Sequence, residues 1–471
     1  MKKLLFLSFI LFLAGTIHAQ RYLGVATGDY SALNSMYLNP ANISGSHEKV
    51  EVNLFAINIG VDNNLGTFTQ LSNVGNGNAF NVTGTQAFSL LAPVADVRLP
   101  AVMISINDPL KQSFAFSIRA RAMIQLNHFD PNLFTTASSG DHTASESYEF
   151  MSSNFNMTAH AWSETGISYG IQVLDQGPHK IKLGVTLKYL GGIDYIAIKG
   201  NNLDVKYTAG SDTFYAVKSD LEYASNALST RNAVTDGIKL SDITGSLFGS
   251  KQGSGFGMDI GATYSYDING SDKPGDKDNS SAGVHRIKAS VAVTDIGAIT
   301  YKENNYIVNV SGNGYITGTG LSDNFQSWDK FRNYMVSQGF TADTGSKATK
   351  LYMPTAMNAS VDYQIYKHFF VNAMYIANMA NRQNYGNSYY NQITLTPRFD
   401  TRLFTVGLPI TYSALANDMK VGIGFRLAGF FVGSDDMLAL MSSNQRGFNF
   451  YMGGFVPIYK KAHKDNFGPT E

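Results

Sequence analysis

Cysteine is absent from this chain of 471 residues. That excludes a disulfide framework, a thiolate metal site and lipoprotein acylation. Charge of one sign is missing too, since 36 basic residues balance 36 acidic ones. Electrostatic nucleic-acid binding needs an excess of phosphate-neutralising cations, so that class is excluded. Beyond the N-terminus, no apolar run approaches the roughly 20 residues of a membrane-spanning helix. What the chain does have is glycine (45 residues), tyrosine (26) and phenylalanine (30), with only 15% charged residues.

The N-terminus reads as an export signal. Lys2 and Lys3 precede an apolar stretch from Leu4 to Ala14, and Ile17-His18-Ala19 offers a cleavage site before Gln20. This three-part pattern predicts a signal peptide over residues 1–19 rather than an anchor.

Most of the remainder alternates with period two. In SFAFSIRARAMIQLNH, Phe114, Phe116, Ile118, Ala120 and Ala122 share one face, while Ser113, Ser117, Arg119 and Arg121 share the other. KIKLGVTLKYL and HRIKASVAV repeat the theme. Such alternation means one apolar and one wet face. In an exported chain without a spanning helix, it predicts an all-β, antiparallel transmembrane β-barrel over residues 49–459.

Connection lengths fit that reading. About fourteen strands are expected, with tight turns such as DQGPH, YK and FDT on one rim. Long excursions at 63–96, 129–156, 201–253 and 303–351 fall on the other. An even strand number returns both termini to the short-turn, periplasmic rim of a Gram-negative outer membrane, with 460–471 as a periplasmic tail. A β-sandwich would alternate as well, but the segments are long for its usual strands of five or six residues. No 40-residue repeat supports a propeller.

Between the leader and the first strand lies NSMYLNPANISGS, residues 34–46. A barrel of this size has a lumen its own side chains do not fill. Tyr30, Leu33, Met36, Tyr37, Leu38 and Ile43 make a poor solvated tail, so residues 20–48 are expected to fold into the lumen as a plug.

S-x-M-Y-L-N-P-A-N-I resembles the hatch of the FadL family of outer-membrane transporters for hydrophobic compounds, on the residues Asn39, Pro40 and Ala41 with Met36 and Tyr37 before them. The resemblance implies a fourteen-stranded barrel, a plug at Asn39, Pro40, Ala41 and Asn42, and a strand kink that opens a lateral path to the bilayer. GFGMDIGATYSY, VAVTDIGAITYK and FFVGSDDML are similar to segments of PorP/SprF-type and PorV-type barrels, which implies a role with a type IX secretion, gliding or assembly partner.

Alternation also places charges inward. Arg119, Arg121, Glu164, Lys182, Lys188 and Asp194 are expected in the lumen. So are Asp259, Arg286, Lys288, Asp362, Arg398 and Arg426. Arg119 and Arg121 could clamp an anionic headgroup, with Glu164 and Asp259 as further ligand-binding candidates. The alternative is a salt-bridge network of Arg119 and Arg121 with Glu164, Asp259 or Asp29.

Asp295 shares parity with apolar Val291 and Val293, so either a bulge near 292–296 re-aims it or it sits at the outer interface. A second bulge is expected near 54–57. The segment LSDNFQSWDKFRNYM carries Phe325, Trp328 and Met335 at helical spacing, as a lid or as a helix folded onto its own loop.

Nothing points to catalysis. The Gly255-Phe256-Gly257 pair fits a strand better than a dinucleotide loop, the histidines lack metal-ligand spacing, and no Gly-x-Ser-x-Gly elbow is present. No enzyme activity, cofactor or metal is expected. The expected partners are outer-membrane lipid, a small hydrophobic or amphipathic molecule, or a protein partner in outer-membrane assembly.

Overall fold

A computed structural model describes residues 22–68, 80–82, 88–106, 109–130, 146–152, 154–226, 252–267, 285–302, 305–324, 328–345, 348–437 and 446–460. The leader, the tail beyond residue 460, Phe325 and the SDKPGDKDNSSAG stretch at 271–283, expected as a longer turn on the short-turn rim, lie outside them.

The architecture is a closed 14-strand antiparallel barrel. Its strands are β1 (Glu48–Asn63), β2 (Phe88–Arg98, resumed at Ala101–Ser105), β3 (Ser113–Phe129), β4 (Phe155–Gln176) and β5 (His179–Tyr207). Next come β6 (Gly253–Tyr266), β7 (Ile287–Tyr301), β8 (Thr349–Tyr352, resumed at Ala356–Tyr366), β9 (Phe369–Asn378) and β10 (Gln392–Asp400). The last four are β11 (Phe404–Gly407, resumed at Ile410–Ser413), β12 (Asp418–Val421, resumed at Ile423–Leu427), β13 (Phe430–Ser434) and β14 (Gly447–Tyr459). β1 closes the cylinder on β14, from Glu48 opposite Tyr459 to Asp62 opposite Gly447. Closure leaves no unpaired edge for lipid to meet.

The period-two phase holds along the wall. Ile167, Leu187 and Phe256 are 63%, 61% and 77% exposed, whereas Arg121 and Lys188, on the inner face, are 4% and 6% exposed. Asp194 and Arg286 are the exceptions to the inward list. The β5 pairing slips between Gly192 and Asp194, so Tyr195 and Ala197 take the inner face and Asp194 does not. At the start of β7 the phase slips too. His285 is buried against Asp362, so the strand begins one residue out of phase. Arg286 instead reaches the exposed Tyr363 hydroxyl at 2.9 Å.

Among the register shifts, two fall where the sequence pattern expects a bulge. In β1 the pairing with β14 slips between Asn53 and Phe55. In β7 the partners pass from Met258–Ile296 to Ile260–Val293, which leaves Thr294 and Asp295 together opposite Asp259. Asp295 takes φ 59° there and points inward, so the outer-interface alternative is not what the chain adopts.

The excursions at 201–253 and 303–351 are not simple loops. β5 has 29 residues, far beyond the 9–11 that cross a bilayer. Its upper half pairs with Tyr148–Ser152 and Thr213–Asn226, and the latter pairs in turn with Asn305–Thr317. One side of the wall is thereby raised. The helices of the 303–351 excursion, Gly318–Asn324 and Trp328–Ser337, belong to this raised sheet, where Phe331 and Met335 pack on Tyr207, Phe214, Val308 and Val310. The second helix therefore packs onto both excursions that build the raised sheet, its own among them.

Ahead of β1 come α1 (Leu23–Ala26), α2 (Ala32–Met36) and a 3-10 turn, Pro40–Ile43. Nearly every residue from 22 to 46 is buried. α1 lies against β10–β13, while the turn lies against β3–β6, on the other side of the cylinder.

Candidate functional site

Pro40 fixes its own φ and biases Asn39 toward extended backbone, so the chain turns at this point. Asn39 has φ −154° and ψ 115°, and its Oδ1 accepts from the Ala41 N–H at 2.9 Å. Its Nδ2 donates outward to the wall, to the Ala262 carbonyl at 3.0 Å and the Thr263 hydroxyl at 3.3 Å. Thr263 in turn donates to Asn42 Oδ1 at 3.3 Å.

Two glycines make the seat. A Cβ at Gly184 would fall 2.2 Å from the Ala41 nitrogen, and one at Gly261 would fall 2.1 Å from Asn39 Oδ1. A side chain at either position would displace the turn. Ala262 stands opposite Val291 in an unbroken ladder, so Asn39 is bound where the wall is paired rather than kinked.

The rest of the segment is tied around the cylinder. The Asn358 amide donates to the Leu38 carbonyl at 2.8 Å, and the Leu23 and Gly24 N–H groups each donate to Asp435 at 3.2 Å. Arg98 donates to Asn34 at 2.7 Å and is sandwiched between the rings of Tyr22 (3.9 Å) and Tyr37 (4.1 Å). At the other wall Asp29 meets Lys288 at 2.7 Å and Arg398 at 3.6 Å. Burial opposes its ionisation, but His285, Lys288 and Arg398 outweigh that and hold its carboxyl well below the usual carboxylate range. His47 stacks on Tyr30 at 4.8 Å, and burial, with Lys182 beside it, pushes its imidazole below the ordinary value.

Above Tyr37 is a layer of paired charges. Arg119 grips Asp96 with two bonds of 2.6 Å. Arg121 bridges Glu164 and Asp295, each at 3.0 Å, and stacks over Trp162. Lys188 joins Asp259 and Asp295, both at 2.8 Å, and Glu164 at 3.5 Å. The Asp295 N–H donates to Asp259 at 2.7 Å, which holds the bulge in place. A small cavity lies between this layer and the N-terminal segment, lined by Met36, Tyr37, Arg119, Glu164, Lys188 and Asp259.

The structure thus gathers Arg119, Arg121, Glu164 and Asp259 into one network. The carboxylates that meet the arginines come from the wall itself, and Asp29 serves a separate cluster. Alternation alone did not single out Asp96, Arg98 or Trp162. Asp96 closes the expected 63–96 excursion and Arg98 falls just after it, although their spacing of two was the available signal.

Among the described residues, Asp29, His285 and Asp362 are close enough to share a cation. Arg398 already donates to Asp362 at 2.8 Å and His285 meets it at 2.6 Å, so protein groups fill the positions a metal would need.

The pattern of a turn seated in the wall beneath a charged layer covers the stretch by which the chain is classified. It belongs to the DUF5723 family, a family of unknown function matched over residues 40–435. No curated protein matches the sequence. Among solved structures the family member is similar to the CymD monoaromatic hydrocarbon channel, with 12% identity, a TM-score of 0.41, and 94% of this chain and 100% of that one covered. It is similar to the P. putida toluene transporter TodX, at 10% identity and TM-score 0.42, covering 91% and 94%. A Pseudomonas aeruginosa FadL homologue aligns at 11% identity and TM-score 0.31, covering 94% and 99%.

Proposed function

We propose that this is a non-enzymatic outer-membrane barrel that passes a small hydrophobic or amphipathic molecule, with residues 20–48 as its plug and both termini in the periplasm. The carrying observation is the seat of Asn39-Pro40-Ala41 in a glycine groove formed by Gly184 and Gly261. A disordered tail has no use for a wall recess built to its backbone. The apolar outer face and the leader support an outer-membrane location.

Deleting residues 22–45 tests the plug. In proteoliposomes the variant is expected to admit small polar solutes faster than the parent while remaining a heat-modifiable barrel. Unchanged permeability would remove the plug from the proposal.

The raised sheet favours a second reading, a barrel that serves as partner subunit of a secretion, gliding or assembly machine. Passage of a small molecule does not need a wall extended far past the bilayer on one side. Isolation of the protein from native membranes with a stoichiometric second protein would support this reading, and recovery of the barrel alone would count against it.

A further inference from the structure

Residues 379–391 leave β9 at Asn378 and return to β10 at Gln392. The tip, 381–384, is exposed, but the returning limb runs inward, with Asn387 and Ser388 buried. This limb crosses to the opposite wall. The Ser388 N–H donates to Gln125 on β3 at 2.7 Å, and Asn387 Nδ2 donates to the Thr158 carbonyl on β4 at 3.3 Å. The Tyr385 carbonyl accepts from the Tyr352 N–H on β8 at 2.9 Å, and Gly386 pairs with Tyr352 as a parallel bridge. Gly386 has φ 136°, and a Cβ there would lie 2.2 Å from the Tyr352 oxygen, so the approach requires glycine.

Three phenol rings hang from this strap. Tyr385, Tyr389 and Tyr390 pack on a buried cluster that includes Met123, Trp162, Leu190, Tyr195, Ile299 and Leu351. Their hydroxyls meet Glu222, Arg121 and Asn127 respectively. Arg121, which the Tyr389 hydroxyl touches directly, is also held by Glu164 and Asp295.

We propose that the strap is a tethered lid whose tyrosine rings occupy a binding site for a neutral, hydroxylated aromatic molecule, which gains the site by displacing them. The inference rests on the proposed passage of a small amphipathic molecule and names its class. The resident occupants define the chemistry, because apolar walls take a ring while Arg121 and Asn127 take a hydroxyl. A carboxylate is disfavoured, since the two acids already on Arg121 would repel it and its own desolvation would go uncompensated.

The absence of native cysteine allows a direct test with full-length protein in detergent. Thr158→Cys with Asn387→Cys locks the strap when oxidised and frees it when reduced. Fluorescence titration with 2-naphthol is expected to show at least tenfold weaker binding to the locked form. Gly386→Val, which denies the strap its seat, is expected to bind 2-naphthol at least tenfold tighter than the parent, and 2-naphthoate is expected to bind weakly throughout.

Equal affinity of locked and reduced forms, or naphthoate binding as well as naphthol, would overturn the site. Should thiol titration show that the disulfide does not form, the Gly386→Val comparison decides alone, with an unchanged affinity counting against the proposal. Binding in detergent does not depend on passage. Lock-sensitive binding without uptake into vesicles would retire passage and leave the site, whereas uptake without lock-sensitive binding would remove the site alone.

Discussion

At the scale of residues, the inner face is organised by charges whose partners are other inner-face groups. Arg119 and Asp96 are both buried, and removing Asp96 leaves Arg119 with only the looser Glu164 contact at 3.8 Å. Asp96→Ala is therefore expected to cost about 3–5 kcal/mol, read as a lower urea midpoint for the detergent-solubilised barrel. Adding Arg119→Leu is expected to recover most of that loss, because an apolar replacement of a whole buried pair is often neutral. No recovery would indicate that Arg119 has a role beyond Asp96.

The N-terminal segment carries a pH dependence of definite sign. His47 has an ordinary value of 6.5 and Asp29 one of 3.8, and both are lowered in the seated segment. The released segment then binds more protons, so seating is strongest above pH 6.5 and weakens as pH falls, first through His47 and then through Asp29. Protease cleavage within residues 22–46 should rise on acidification, and His47→Phe should abolish the first step while leaving the second.

At the scale of elements, the interruption in β7 serves a contact inside the cylinder. The β7 bulge turns Asp295 from the lipid side onto Arg121 and Lys188. Gly297, two residues on, has φ 150°, and a Cβ there would lie 2.4 Å from the Phe256 oxygen. Gly297→Ala is expected to lower the unfolding midpoint, and a midpoint equal to the parent's would show that the bulge is not under this constraint. Gly184→Val addresses the other recess. It is expected to unseat residues 34–46, seen as protease sensitivity at neutral pH, while the barrel keeps its heat-modifiable migration.

At the scale of the whole molecule, the proposed plug and the proposed lid lie in series, with the paired charges between them. Tyr37 stacks on Arg119 at 5.1 Å from one side, and Tyr389 reaches Arg121 from the other. Two obstructions in series predict a more than additive gain in permeability. Deleting residues 22–45 should raise solute flux modestly. Combining that deletion with Gly386→Val should raise it well beyond the sum of the separate effects, and a simply additive result would mean that the two elements do not share one path.

The barrel, the inward direction of Arg119, Arg121, Glu164 and Asp259, and the turn at Asn39-Pro40 were legible in the sequence. Period-two alternation and the φ restriction of proline are local, so a few neighbouring residues suffice to read them. Partnership was legible only in part: Glu164 stood among the expected partners of Arg119 and Arg121, whereas Asp96, Asp295 and Tyr389 did not. Arg121 meets Asp295 across 174 positions of chain and Tyr389 across 268, and no local pattern encodes which strands closure brings face to face. The raised sheet stayed hidden because glycine- and asparagine-rich stretches such as KGNNLDVKY read as loop until a neighbouring strand supplies their ladder. The strap stayed hidden because nothing local in NRQNYGNSYYN marks a segment that crosses the lumen, and only Gln125 and Thr158 on the opposite wall, with Tyr352 on the neighbouring β8, hold it there. Residue order settled which face each side chain takes, and closure of the cylinder settled what it meets there.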